Sequence, residues 1–249
     1  MVQLFSLASL LSFAFVGGLV GWRIGRVAKA TGREPERWIA ICLIAICGIA
    51  YPGLLLSRAL PWLLPIVGSS LAVAAADVGA AAIFHFTRCV FRPDVAWLRP
   101  ALRLVAGILV VHWVGSTVEL TRTFLAGGAA LSPGKWTALV AVVSGAGFAW
   151  TAWESFRYWT VLRRRVPLGL ADPLVVNRVA LWAMTGCASV LINVANVWTS
   201  LAEISFVDDP LTMIATGVLG LINAACLFLA FLPPTSYAAR IRHRMPMGD

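Results

Sequence analysis

Charge is what this chain has least of. Only 12% of its 249 residues are charged, where a soluble domain carries about 25%, and the deficit is concentrated in seven runs of membrane length. A helix that is apolar on every side needs surroundings as apolar as itself, which excludes an ordinary soluble globular fold. Lysine is the next scarcity. Lys29 and Lys135 are the only two, both in connections between runs, so no lysine stands inside a bundle to form the Schiff base of a retinal pigment. Five cysteines show neither a CxxC nor a Cys/His metal spacing. Cys42, Cys47, Cys89, Cys187 and Cys226 therefore read as small apolar residues, not as disulfides or ligands.

Other absences bear on chemistry. No Walker loop, HExxH, GxSxG or paired-carboxylate arrangement occurs, and the connections are too short for a catalytic domain, so the chain does not read as an enzyme. Heme would need axial ligands at one depth, but His85 lies at the inner end of its run and His112 beyond the middle of the next, more than ~10 Å apart. No cofactor or metal is expected. The first residues, MVQLFSLASLLSFAFVGGLVGW, lack the basic start of a cleaved signal peptide and read as a retained first helix.

What is present is a set of apolar spans, each near the ~20 residues that cross a bilayer core. They run from about Leu4 to Trp22, Trp38 to Leu56, Leu60 to Phe86, Ala101 to Leu120, Trp136 to Phe156, Val179 to Ser200 and Leu211 to Leu232. The fold class is all-α, a seven-transmembrane-helix bundle over residues 1–232 with a short basic tail over 233–249. Seventeen of the twenty bases fall in alternate connections and the tail, leaving Arg58, Arg122 and Lys135 on the other side. Basic loops stay in the cytoplasm, which sets the N-terminus outside and the C-terminus inside. Confined to loops on one side, the net charge of +9 does not point to nucleic acid.

Helices in lipid associate by close packing at small residues. Gly17, Gly21 and Gly25, the stripe Ala72, Ala76 and Ala80, and Ser144 to Gly147 mark such contacts, within the chain first and with a second copy as the alternative. Trp22, Trp38, Trp62, Trp97, Trp136, Trp159 and Trp198 sit near span ends as an interfacial belt, whereas Trp150 and Trp182 lie deeper.

Ionisable residues at membrane depth point to function, and span three carries Asp77 well inside its run. Counted from the outer face, Asp77, Trp150 and Asn223 come out ~20 Å deep, with Thr185 at a similar level. Facing one another, they would form a polar pocket in which Asn223 or Thr185 partners Asp77. The plainer alternative is a neutral Asp77 that hydrogen-bonds across helices as packing glue. A second, outward-opening cavity would be lined by His112, Glu119, Asn193, Asn196 and Trp113. Glu119 and Arg122 could equally form an i,i+3 surface pair, and His112 could be a packed, hydrogen-bonded residue.

On the inner side, Phe91, Arg92, Pro93 and Arg99 form one basic turn, and Tyr158, Arg163, Arg164, Arg165, Pro167 and Arg178 another. Asp172 before Pro173 is a helix start. These arginines suit anionic lipid head groups, at about 1 kcal/mol per base, and also a docked cytoplasmic signalling protein. The seven spans, the VFRP turn, the Arg-rich connection with GLADP, and FLPP closing span seven resemble the seven-transmembrane input modules of bacterial signalling proteins. That resemblance implies a receptor-like sensor in a bacterial inner membrane, binding a small apolar or amphipathic ligand in the bundle. Only TSYAARIRHRMPMGD follows FLPP, so the output would be a separate protein. Two alternatives are a small seven-helix transporter, for which proline is missing from spans one and five where three-helix repeats would need it, and an accessory subunit of a membrane complex.

Overall fold

The structure is a computed structural model that describes residues 1–59, 66–126, 134–204 and 209–244. The expected start of span three at Leu60 to Pro65, the Gly- and Pro-containing link after span four, Asp208 and the last five tail residues lie outside the described residues. Among the described residues every regular element is helical. Seven helices are long and apolar enough to cross a membrane: Val2–Thr31, Glu34–Ser57, Val67–Phe91, Leu98–Leu125, Lys135–Leu168, Pro173–Leu201 and Pro210–Phe231, spans one to seven. They coincide with the seven apolar runs.

The ends differ from the hydropathy limits for a local reason. Span one does not stop at Trp22: Arg23, Arg26 and Lys29 are good helix formers, and the helix continues to Thr31, where Gly32 turns left-handed at φ 69° and donates to Ala28 O at 2.8 Å. Spans six and seven start as their sequences dictate. Asp172 accepts from Leu174 N–H at 2.8 Å and Asp209 from Leu211 N–H at 3.1 Å, each with proline at the first helical position. After Pro233 and Pro234, the tail forms a helix over Thr235–Arg244, tied back by a hydrogen bond of 3.0 Å between Asn177 and Tyr237.

Spans one, two, three, five, six and seven close into a ring in that order, and span four stands outside it against spans three and five. Ring closure brings spans one and seven together in parallel, with Ser9 donating to Gly217 O and Phe5 lying against Gly217. Spans three and five are also parallel, joined by the buried Thr87 and Thr151 hydroxyls. Span two fits between one and three because glycines leave it room: Gly17 lies against Cys47, Gly21 against Leu43 and Ile44, and Gly79 against Ile46. The Gly stripe of span one is thus occupied within the chain. Residues Ile44–Ala50 of span two form a π-helical stretch, whose wider turns redirect its side chains. The ring interior is filled by Val20, Ile39, Cys42, Ile83, Trp182 and Leu227, with Trp182 edge-on to Phe86 and Phe231.

The bundle has two distinguishable ends. The Met1 end carries the links after spans two, four and six. The basic end carries the other three connections and the tail helix.

Candidate functional site between spans three, four and five

Asp77 is buried, 6% exposed, and does not face Asn223 or Thr185 as expected. Its partner is His112 of span four, itself 3% exposed. Nδ1 of His112 lies 2.9 Å from both carboxylate oxygens, and Nε2 lies 3.1 Å from Ser116 Oγ. The physical reason is the ring order: span three packs on span four, while span seven packs on spans one and six. With a proton on Nδ1 alone, Nε2 accepts from the Ser116 hydroxyl; with both nitrogens protonated, Nε2 donates to the same oxygen. The ring's hydrogen bonds are satisfied in either state.

Other polar contacts pin the same half of span four. Ser70 and Thr117 are joined at 2.9 Å, and Trp113 Nε1 donates to Ser70 Oγ at 3.1 Å and to its carbonyl at 3.2 Å. Trp136, at the start of span five, lies on Gly115 and edge-on to His112 with centroids 6.4 Å apart. Its Nε1 donates to Glu119 at 2.9 Å. Glu119 therefore turns to Trp136, and no ion pair joins it to Arg122 among the described residues.

Towards the basic end, Leu98 and Leu102 of span four are buried. A groove of about 540 Å³ opens between spans three, four and five, lined by Phe84, Leu98, Leu102, Val105 and Trp150. Its polar margin is Arg92, whose Nε donates to Glu154 Oε1 at 2.8 Å; Arg157 Nη1 lies 3.8 Å from the other oxygen. Phe84 and Val105 each lie seven residues from the Asp77–His112 pair, so the groove begins about 10 Å below the pair.

The remaining predicted residues are placed apart. The expected outward cavity is not assembled: Asn193 is drawn to span five, accepting from Ser144 at 2.7 Å, Asn196 lies a turn further along span six, and neither is near His112, because span six packs on spans five and seven. Asn223 donates to Ser189 at 3.2 Å, with its Oδ1 buried and without a partner among the described residues. Thr185 is buried on span six. Trp150 lines the groove and leans on Phe84 at 6.2 Å. Of the basic residues, Arg92 is in the site, Arg178 donates to Ala230 O at 2.8 Å, Arg163 covers Trp159 at 5.4 Å, and Arg99, Arg164 and Arg165 are exposed. His85 stacks on Trp38 at 4.3 Å. Sequence reasoning missed Ser116, Ser70 and Thr117, and did not join Arg92 to Glu154. No family model, curated protein or solved structure matches the chain.

Proposed function

We propose that this protein is a receptor-like sensor of a bacterial inner membrane, with its N-terminus outside and its basic end in the cytoplasm. A small apolar or amphipathic molecule binds in the groove behind span four. The observation that carries the reading is that span four is held to span three by Asp77 and His112 in one half and borders the groove in the other. A ligand that prefers one of two settings of span four shifts the population towards it. The movement would pivot on the pinned half and be felt in the turn from Arg92 to Trp97, beside which a signalling partner or anionic lipid meets the exposed arginines. The resemblance to bacterial input modules and the one-sided distribution of bases support the same reading.

A second reading, a proton-coupled carrier, draws on the buried Asp77–His112 pair, an acid beside a base well inside adjacent spans. The apolar filling of the ring interior gives it less support. Ligand-dependent thermal stabilisation of the reconstituted protein, without flux, is expected of a sensor. Saturable, proton-driven uptake into vesicles that is lost in Asp77→Asn would replace the sensor by the carrier.

A further inference from the structure

We propose that the groove takes a single-chain amphiphile with an anionic head, of the medium-chain fatty acid class, with its carboxylate on Arg92. This rests on the reading of the groove as the ligand site, and goes on to say what chemistry it selects. The groove wall is apolar over its length, from Leu98 through Leu102 to Val105 on span four, facing Phe84 and Trp150. Along span three it runs the eight residues from Phe84 to Arg92, about 12 Å. An extended chain advances ~1.2 Å per bond, since three backbone bonds cover 3.3–3.6 Å, so about ten carbons fill that length. The volume of about 540 Å³ lies in the range of single small-molecule sites.

The head group follows from the charges at the margin. Arg92 uses Nε on Glu154, and its two terminal nitrogens have no partner among the described residues. A guanidinium offers those nitrogens as a fork that matches a carboxylate. Glu154 does not cancel this, because Arg92 and Arg157 both face it and the three groups together carry one net positive charge. Asp94, in the adjoining turn, is exposed and outside the lining. A neutral head would leave the fork unpaired, and a cationic head would be repelled by it.

The test uses the full chain in phosphatidylcholine nanodiscs and equilibrium binding of labelled decanoate, with decanol, decyltrimethylammonium and phosphatidylglycerol as competitors. Saturable decanoate binding is expected, roughly tenfold or more tighter than decanol and undisturbed by the cationic amphiphile or the two-chain lipid. Leu102→Trp, which fills the groove, should abolish binding of decanoate and decanol alike. The paired change Arg92→Gln with Glu154→Gln, which leaves no lone buried charge, should weaken decanoate roughly tenfold and leave decanol unchanged. Arg92→Lys, keeping the charge, should retain the preference for the acid. Equal affinity for decanoate and decanol would overturn the anionic class while sparing the groove as a ligand site. Displacement by phosphatidylglycerol would make the occupant a bilayer lipid and overturn the proposal. Absence of any saturable binding, or binding indifferent to Leu102→Trp, would remove the groove itself as the site.

Discussion

His112 shares a single ring nitrogen between both carboxylate oxygens of Asp77, at 2.9 Å to each, and the helix that carries it has few other buried attachments. In its most apolar window span four is 17% buried, against 44% for span three. Polar contacts thus take a larger share in holding span four than apolar burial does.

The pair should couple measurably. Cross-helix polar pairs in membranes contribute about 0.6 kcal/mol on average and at most about 1.7, and a buried carboxyl left alone can protonate, which caps its penalty. Asp77→Leu and His112→Leu should each lower thermal stability, and the double variant should be less destabilised than their sum, with a coupling of about 0.6–1.7 kcal/mol. Strict additivity in that cycle would show the pair to be energetically inert.

The glycine contacts predict opposite outcomes at two positions. Gly17→Ala places a methyl against the Cys47 side chain and should cost about 1–3 kcal/mol, partly recovered by Cys47→Ala. A methyl at Gly107 meets nothing within 4 Å, so Gly107→Ala should be neutral or stabilising by up to about 1 kcal/mol. Melting temperatures of the three variants in one detergent decide between them.

Asp209 gives a pH dependence. The Thr212 hydroxyl, and then the Leu211 and Thr212 amides, hydrogen-bond its carboxylate and hold it below the usual aspartate range. A carboxyl whose folded value is depressed adds stability above its unfolded value, about 3.9, and loses it as pH falls through the folded value. Thr212→Val should move that acid limb to higher pH in melting curves recorded from pH 6 downwards, and leave stability at neutral pH nearly independent of pH. An unchanged limb would argue that the hydroxyl does not bond the carboxylate in solution.

The tail helix has a hydroxyl tether. Tyr237→Phe removes the bond to Asn177, worth about 0.5–1.5 kcal/mol. Hydrogen exchange over Thr235–Arg244 should quicken while the bundle melts as before. A fall in the global melting temperature would mean that the tail is part of the cooperative unit.

Orientation is open to direct labelling. In intact cells of a cysteine-free background, Lys135→Cys at the Met1 end should react with an impermeant maleimide, and Arg164→Cys only after permeabilisation. The reverse pattern would invert the bundle.

The spans were legible in the sequence because hydropathy averages over twenty residues and tolerates errors at the ends. The start at Asp172 was legible because capping is local. The partner of Asp77 was not. A depth count begun at Leu60 put Asp77 level with Asn223, whereas the helix begun at Val67 sets it ten residues, about 15 Å, from its first residue. Depth also cannot say which spans adjoin, and the exclusion of span four from the ring decided the pairing. A signal did exist: Asp77 and His112 are both ionisable and well inside adjacent spans, and such residues tend to pair with one another. The Arg92–Glu154 bond was hidden in the same way, since their 62-residue separation is bridged only by the parallel packing of spans three and five.

The parallel seam between spans one and seven has a consequence for biogenesis. Ser9 and Gly217 are separated by 208 residues, which at 5–20 residues per second takes a ribosome roughly 10–40 s to synthesise. Inserted in a membrane as proposed, the first helix would wait there for that time with one flank unmatched, and a translocon or chaperone that shelters this flank would govern the yield of assembled protein.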